Sequence, residues 1–257
     1  TWWQAAFVGR VHDDDLGMAF CRDIREAGVT FASTPACDGA PTASSIILVT
    51  PDAARSMNTC LGASIEFQPD DIGQIVAVDA AVIYLEGYLF DAPAGPDIFA
   101  EAAKMAVQNK SRIALSLSDP WCVDRHRVAL RQFVTDNVDI LFANEDEATS
   151  ITESDHITSV QLLANLVDEV VVTRGPLGAV ICHAGQQHFV DAMPQGPVVD
   201  TTGAGDLFAA GYLFGRARDY DVCQSGRIAS LLAGEAICHI GARPQADLQA
   251  LIEPLIG

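Results

Sequence analysis

Basic residues are scarce in this sequence. Its 15 Lys and Arg stand against 34 Asp and Glu, which gives a formal net charge of −19. A nucleic-acid-binding protein needs a basic surface to neutralise phosphates, so this composition argues against that function. An anionic small molecule would have to be bound by local backbone donors, because the surface as a whole repels it.

Long apolar runs and metal-binding motifs are missing as well. No stretch approaches the roughly 20 consecutive apolar residues of a membrane span, and we expect no membrane attachment. The seven cysteines contain no C-x-x-C pair and the six histidines no H-x-x-x-H pair, so the patterns typical of zinc sites are not found. An odd number of scattered cysteines indicates reduced thiols and predicts a cytoplasmic protein.

Two kinds of segment alternate along the chain. Short runs rich in Val and Ile predict strands at residues 5–11, 81–88, 112–119, 139–144 and 169–175. Longer segments with apolar residues every three or four positions predict helices at residues 14–28, 97–109, 124–136 and 157–167. This order predicts an α/β fold with a mostly parallel central sheet and helices on both faces.

Two further segments interrupt the alternation. Residues 44–64 have the pattern of two strands around a turn, and residues 176–193 predict a second hairpin that turns at Ala184-Gly185. Hairpins inserted into α/β chains often serve as lids over a site. We therefore predict one domain over residues 1–257, with a β-hairpin lid inserted at 42–66.

The most informative stretch is VVDTTGAGDLFAAGYLFG, residues 198–215. Its first residues are extended in pattern and its last residues have the periodicity of a buried helix, so Gly203-Ala204-Gly205 lies where a helix begins. The first turn of a helix has unpaired N–H groups and a partial positive charge, which favour a bound anion. Because glycine lets the backbone approach an anion closely, we predict a phosphate site here.

Asp206 lies beside this predicted phosphate site. An acidic residue in the first turn of a helix is common because it interacts favourably with the helix dipole, and this alone would account for it. A carboxylate next to a bound phosphate is repelled, however, unless it has a chemical task. The alternative is that Asp206 takes the proton from a hydroxyl group that attacks the phosphate.

Other nucleotide-binding and hydrolase motifs do not fit. The sequence has no GxxxxGK[ST] and no GxSxG, and GAGDLF has Phe208 where a dinucleotide-binding fingerprint has its third glycine. A Walker-type ATPase, an α/β-hydrolase and an NAD-dependent dehydrogenase are therefore disfavoured.

The segment DTTGAGD, residues 200–206, resembles the second signature of the ribokinase-like (PfkB) family of carbohydrate and nucleoside kinases. The resemblance continues in family order through FVGRVHDDDLG at 7–17, NEDE at 144–147, VTRGPLGA at 172–179 and GARP at 241–244. The segments at 42–64 and 84–91 are most similar to the bacterial adenosine-kinase-like branch. The resemblance implies a ribokinase-like fold and transfer of the γ-phosphoryl group of ATP to a primary hydroxyl of a sugar or nucleoside.

The resemblance also implies roles at the transferring phosphoryl group. Asp206 would be the base that deprotonates the acceptor hydroxyl. The backbone amides of Gly203, Ala204 and Gly205 would form the anion hole that stabilises the phosphoryl group during transfer.

Nucleotide and divalent-metal roles follow from two other segments. Asn144 and Glu147 would lie near the ATP phosphates, with Glu147 holding Mg²⁺ through water. Thr173, Gly175 and Gly178 would lie against the nucleotide.

The resemblance gives Asp200 and Thr202 a place beside a monovalent cation such as K⁺. Arg55, next to the turn of the predicted lid, is a candidate contact for substrate or phosphate when the lid closes. An exposed loop arginine with no role in binding is the alternative for this residue.

One part of the family pattern is not found. Family members have an earlier strand with an acidic residue and a Gly-Gly-x-x-x-N segment, which together bind the acceptor, and neither occurs in these 257 residues. A non-catalytic nucleotide or sugar sensor on the same scaffold is therefore kept as the alternative to a kinase. The family includes monomers and dimers joined through the lid, and we expect one of these two states.

Overall fold

A computed structural model describes residues 4–73 and 80–256 of the chain. Its strands, in chain order, are β1 (Ser44–Val49), β2 (Arg55–Cys60), β3 (Val82–Glu86), β4 (Arg112–Ser116), β5 (Ile140–Asn144), β6 (Glu169–Thr173), β7 (Ala179–His183) and β8 (Gln186–Val190). Its helices are α1 (Asp15–Glu26), α2 (Pro69–Gly73), α3 (Gly95–Asn109), α4 (Pro120–Asn137), α5 (Glu145–Thr152), α6 (His156–Ala164), α7 (Ala204–Arg216), α8 (Val222–Ala236) and α9 (Leu248–Ile256).

Six of the strands form the central sheet. They lie in the order β3-β4-β5-β6-β7-β8, with β3 to β6 parallel and with β7 and β8 added as antiparallel strands. The parallel strands follow one another along the chain, as expected where helices connect neighbouring strands. The predicted α/β fold with a mostly parallel sheet is confirmed.

The central strands are buried on both faces, and their alternating side chains divide the core in two. In β5, Leu141 and Ala143 join a cluster packed with α3, α4, α5 and α6. Ile140 and Phe142 of the same strand point to the other face, where α7 and α8 cover them. Continuous apolar strands are the pattern of a parallel sheet enclosed between two helical layers.

Helix α7 runs opposite to β6. Its last residue, Arg216, binds Glu169, the first residue of β6, at 2.9 Å between Nε and Oε1. One turn earlier, Tyr212 packs edge-on against Phe142 of β5, with 5.7 Å between the ring centroids. The N-terminus of α7 therefore lies at the edge of the sheet where the parallel strands end, and ligands of open α/β sheets bind at this edge.

The two predicted hairpins have different surroundings. The second, β7–β8, extends the central sheet, and its turn at Ala184 (φ 50°) and Gly185 (φ 73°) has the left-handed pair of residues that a tight hairpin requires. The first, β1–β2, forms a separate two-stranded sheet with Val49 opposite Arg55 and Ile47 opposite Met57. We call residues 44–60 the lid hairpin.

The strand predicted at residues 5–11 is wrong. The structure has only single parallel bridges there, between Ala6 and Thr30 and between His12 and Ala36. The apolar residues of this segment are explained by another contact, since Phe7 packs on the rings of Phe20 and Phe31 beside α1, at 5.6 and 5.9 Å. Phe31 is buried in this cluster whereas Phe7 remains 44% exposed, and an aromatic cluster and a strand leave the same apolar pattern in a short segment.

Within the described residues no helix has the length and apolar character needed to cross a membrane.

Candidate active site

The N-terminus of α7 is formed by the sequence TTGAGD. Gly203 takes the N-cap position in the left-handed conformation, with φ 80° and ψ 0°, and no side chain caps this end in the described part of the chain. A Cβ atom at Gly203 would lie 2.7 Å from the Cβ of Ala242, so only glycine fits here. The chain therefore enters the helix with its first N–H groups uncapped.

Two of these N–H groups have no acceptor. The amide of Ala204 donates to the carbonyl of Thr201 at 3.3 Å. Among the described residues, the amides of Gly205 and Asp206 bind no backbone or side-chain acceptor, and a Cβ atom at Gly205 would meet no atom within 4 Å. The side of Gly205 where a side chain would lie is therefore open, which leaves room for an anion beside these donors.

Asp206 follows Gly205 in the first turn of α7. Its side chain is exposed and takes part in no ion pair with any described residue. Burial is the main cause of the raised pKa values of Tyr84, in the middle of β3, and of Glu86, at its end, and the charge of Asp206 adds to both shifts. Asp206 is thus an exposed carboxylate in the first turn of α7, and its charge acts on the neighbouring residues of β3.

Asp200 fixes the loop before α7. It is 1% exposed, and one of its oxygens accepts from the Thr202 amide at 2.9 Å and the Thr202 hydroxyl at 2.6 Å. The other oxygen accepts from the amide of Gly241 at 2.9 Å. Hydrogen bonds from Thr202 and Gly241 lower the pKa of Asp200. The loop 200–203 is therefore held against residues 241–242, which gives the α7 end a rigid support.

Arg55 connects the lid hairpin to this loop. Its guanidinium donates to the hydroxyl of Thr201 at 2.7 Å, across 146 residues of sequence. The positive charge of Arg55 also contributes to the lowered pKa of Asp200. The structure thus places the predicted lid arginine directly beside the candidate phosphate site.

Asn144 and Glu147 form a capping box at the start of α5. The amide of Glu147 donates to Asn144 Oδ1 at 2.8 Å, and Glu147 accepts from the backbone and side-chain nitrogens of Asn144 at 2.9 and 2.7 Å. Burial raises the pKa of Glu147 to about 7. Both residues lie at the carboxyl end of β5, at the same edge of the sheet as the α7 N-terminus.

The predicted nucleotide residues lie on the neighbouring strand. Thr173 ends β6 and is the register partner of Asn144. Gly175 (φ 53°) begins a 3-10 turn that leads to Gly178 (φ 79°), where a Cβ atom would lie 1.9 Å from the carbonyl oxygen of Val190. Gly178 is thus required by the chain reversal into β7, whereas Gly175 faces open space.

Sequence reasoning assigned no function to the end of β3. Glu86 accepts a hydrogen bond from Ser118 at 2.7 Å, and its pKa is raised mainly by burial. Tyr88 follows in the next turn with 49% of its surface exposed, and burial followed by the charges of Glu86 and Asp206 raises its pKa to about 12. Only its position at a strand end, in line with Asn144, could have singled out Glu86 in the sequence.

Comparison with known proteins identifies the family. Residues 3–248 match the family described as pfkB family carbohydrate kinase. The chain belongs to the PfkB family. It is a carbohydrate or nucleoside phosphotransferase with a ribokinase-like fold, and the resemblance seen in DTTGAGD is confirmed.

Several members of the PfkB family are similar over most of the chain. A probable sugar kinase from Rhizobium etli CFN 42 superposes with a TM-score of 0.95 at 39% identity, covering 98% of this chain and 78% of that one. An adenosine kinase from Sinorhizobium meliloti superposes with a TM-score of 0.91 at 40% identity, covering 96% and 76%. The ATP-dependent ribose-1-phosphate kinase of Halopiger xanaduensis is 28% identical, covering 96% of this chain and 79% of that protein.

The residues present fit the cations that a PfkB kinase is expected to use. Each oxygen of Glu147 accepts from Asn144 and keeps a lone pair for a metal-bound water, and a nearby dication would stabilise this buried carboxylate. Asp200 is buried and ionised, yet no described residue forms an ion pair with it. A monovalent cation would balance that charge.

Proposed function

We propose that this PfkB-family protein transfers the γ-phosphoryl group of ATP to a primary hydroxyl of a nucleoside or sugar, with Asp206 as the catalytic base. One arrangement carries the proposal: the uncapped amides of Gly205 and Asp206 open onto free space beside an exposed carboxylate. Donors in this position stabilise the charge of a phosphoryl group in transfer, and the carboxylate removes the proton of the attacking hydroxyl.

The surrounding residues would complete the phosphate site. The guanidinium of Arg55 lies at the hydroxyl of Thr201, next to the free amides, and would exchange this contact for a phosphate oxygen. Asn144 and Glu147 would orient Mg²⁺ through water, and Asp200 with Thr202 would hold K⁺. The bound Mg²⁺ would neutralise negative charge on the phosphates.

The lid hairpin favours a nucleoside over a free sugar as acceptor. Val49 and Arg55 are opposite each other in the hairpin, and so are Ile47 and Met57, so all four side chains share one face. Arg55 turns this face toward the site. Met57 is 51% exposed, and an apolar surface of this kind suits a planar base better than a polyhydroxylated sugar. The similarity to the adenosine kinase of Sinorhizobium meliloti supports the same assignment.

Asp206→Asn tests the base directly. We expect turnover with adenosine to fall at least about 100-fold, because general-base catalysis contributes on that order, while ATP binding measured by calorimetry stays close to wild type. Asp247→Asn, a substitution in the loop before α9, is the matched control and should leave turnover unchanged. Near-normal turnover in Asp206→Asn would contradict the assignment.

The cellular setting is part of the proposal. All seven cysteines are unpaired in the structure, which fits a reducing compartment with abundant ATP, and we place the protein in the cytoplasm. We propose a monomer or a homodimer joined through the lid hairpin, whose outward residues Ile46 and Leu48 are 69% and 59% exposed.

A further inference from the structure

Three side chains of the kinds that bind transition metals meet beside the end of β3. Cys122 and His126 are four residues apart on α4, so they share one face of that helix. Asp91 ends the 3-10 turn Gly87–Asp91 that follows β3. The sulfur of Cys122, a ring nitrogen of His126 and a carboxylate oxygen of Asp91 all lie within 4.8 Å of one another. The fold thus brings a C-x-x-x-H pair together with a carboxylate from a distant segment.

Contacts within this group hold the side chains in place. His126 Nε2 lies 2.7 Å from Asp91 Oδ1, and the Cys122 thiol donates to the carbonyl of Gly87 at 3.4 Å. The ring of His126 also packs on Phe90, with 5.6 Å between the ring centroids. The potential ligands are therefore ordered in advance, which lowers the entropic cost of binding an ion.

The group has a buried side and a side that faces solvent. Cys122 is fully buried, whereas the side chains of His126 and Asp91 are 32% and 31% exposed. An ion can therefore reach the three ligand atoms from the exposed side and would keep a water there as its fourth ligand, as zinc sites with three protein ligands do.

The charges around the group suit a divalent cation. A Cys122 thiolate and the Asp91 carboxylate together would neutralise its two charges. Arg125 contacts both oxygens of Asp91, so an ion at Oδ1 would leave its contact with Oδ2 in place to orient the carboxylate. The Arg125 charge is shared with Asp119, whose carboxylate lies 4.0 Å away. The net charge of −19 also attracts cations to the molecule.

The types of ligand select the metal. A thiolate and an imidazole suit Zn²⁺ and related ions, whereas Mg²⁺ prefers oxygen ligands and keeps several waters. Ligand atoms of a tetrahedral zinc ion lie about 3.5 Å apart, because its bonds are about 2.0–2.3 Å long. The hydrogen-bonded His126 and Asp91 atoms would have to separate by only roughly 1 Å to accept it. Cys122 coordinates as the thiolate, so its thiol proton would leave to solvent.

We propose that Asp91, Cys122 and His126 bind a divalent transition-metal ion such as Zn²⁺, with a water as the fourth ligand. The inference goes beyond the proposed function, because these residues are not those of the candidate phosphate and Mg²⁺ sites and the ion needs neither ATP nor an acceptor. The ion would join the segment after β3 to the first turns of α4. It would thereby stabilise the edge of the sheet at which the parallel strands end.

Titration of the full chain with Co²⁺, in excess Mg²⁺, tests the site. A thiolate bound to Co²⁺ gives a charge-transfer absorption band that oxygen ligands do not give. We expect the band in the wild type with a single equivalent of Co²⁺, and no band in Cys122→Ser. His126→Asn should bind Co²⁺ at least about 100-fold more weakly, since loss of a ligand costs more than the loss of a residue that only orients one.

Cys223→Ser is the matched control. Cys223 forms another Cys–His contact, with its sulfur 3.2 Å from His188 Nδ1, and it is exposed. A surface thiol of this kind is where Co²⁺ would bind if the signal did not come from the proposed site. The control should keep the band and the affinity of the wild type.

Urea unfolding gives a second readout that is independent of kinase activity. Added Zn²⁺ should raise the unfolding midpoint of the wild type and of Cys223→Ser, and leave that of His126→Asn unchanged. If Cys122→Ser does not fold, the partly exposed His126→Asn decides the question. No band in the wild type, a band kept in Cys122→Ser, full affinity in His126→Asn or a band lost in Cys223→Ser would overturn the inference and leave the proposed kinase function intact.

Discussion

At the scale of single residues, the two glycines of GAG have different roles. Gly203 is required by the fold, because its φ is 80° and a side chain would collide with Ala242. Gly205 has an ordinary helical conformation and open space around it. Its lack of a side chain serves no described packing contact, and in the proposed function it lets an anion approach the backbone closely.

Alanine at the two positions should therefore separate stability from activity. Gly203→Ala should lower the free energy of unfolding by about 1–3 kcal/mol, from the left-handed backbone alone, with the collision adding to it. Gly205→Ala should leave stability unchanged or raise it by roughly 0.5–1 kcal/mol, since alanine favours helix. Turnover of Gly205→Ala should nevertheless fall about 100-fold, because the methyl group keeps the phosphoryl group from the amides.

Urea unfolding and phosphoryl-transfer assays on the same preparations measure both effects. A Gly205→Ala protein with normal turnover would show that the anion does not approach this amide.

The sequence predicted those residues of the candidate site that lie in one continuous motif. DTTGAGD contains the helix start, its free amides and Asp206 within seven residues, and local rules are enough to interpret such a segment. Glu86 and Ser118 could not be found in this way. They are 32 residues apart and meet only because β3 and β4 are neighbours in the sheet.

At the scale of single elements, α1 shows how one side chain fastens a helix to its surroundings. Asp14 caps α1 through the Gly17 amide at 2.8 Å and also accepts from the amide and hydroxyl of Thr42 at 2.9 and 2.7 Å. These hydrogen bonds, led by the Thr42 amide, lower the pKa of Asp14 to about 2. The carboxylate therefore stabilises the folded state only while it is ionised.

Asp14→Asn should show a stability loss that depends on pH. The asparagine amide would face the Thr42 amide, two donors in contact, so the variant should be less stable than wild type at pH 7. The native pKa lies below the unfolded value of about 3.9, so the wild-type advantage is complete above pH 4 and disappears as pH falls through about 2. Urea midpoints at pH 7, 4 and 2 measure the difference, and a difference that stays constant with pH would contradict the prediction.

The lid hairpin gives the second prediction at this scale. Ile47 lies on the face that Arg55 turns toward the site, whereas Ile46 lies on the opposite face. Ile47→Ser should raise KM for adenosine about five- to tenfold, because apolar contact with the base is lost, and should leave KM for ribose unchanged. Ile46→Ser is the matched control with no change in either value. Equal effects of the two substitutions would show that the inner face does not contact the acceptor.

The local sequence pattern predicted most of the strands and helices, but not which elements pair or pack with one another. The five-residue strands and α3, α4 and α6 lie where apolar periodicity placed them, within a few residues. The segment 5–11 was misassigned because its apolar side chains serve an aromatic cluster. The two hairpins looked alike in sequence, yet β7 is buried and joins the sheet while β2 is exposed along its whole length.

At the scale of the whole molecule, a buried ion cluster closes the end of the sheet opposite to the active site. Glu169 is fully buried and binds Arg216 of α7 through two nitrogens at 2.9 and 3.0 Å, with Arg112 of β4 at 3.4 Å. Two strands of the sheet and one helix meet at this one carboxylate. Long-range charge pairs of this kind cannot be assigned from sequence, because 57 residues separate Arg112 from Glu169.

Glu169→Gln should destabilise the fold without touching the site. Removing one charge of a buried pair leaves the arginines uncompensated, so the free energy of unfolding should fall by about 3–5 kcal/mol. The double variant Glu169→Leu with Arg216→Leu should recover much of that loss, since the more buried pair of charges is then gone and the remaining Arg112, 38% exposed, reaches water. Urea unfolding of the two proteins, with KM for ATP as a check on the active site, measures the effect. A double variant less stable than Glu169→Gln would contradict it.

The hydrogen bonds of the lid hairpin run between its own two strands, and its one described polar link to the loop before α7 is the contact from Arg55 to Thr201. Because it makes so few polar contacts with this loop, the lid hairpin can be exchanged for another hairpin. In the proposed function, replacing residues 44–60 by the corresponding hairpin of a relative with another acceptor preference should change the acceptor preference, while the N-terminus of α7 keeps its position on the central sheet. We therefore expect new specificities to arise in this architecture by exchange of one hairpin, without redesign of the α7 N-terminus or of the sheet that supports it.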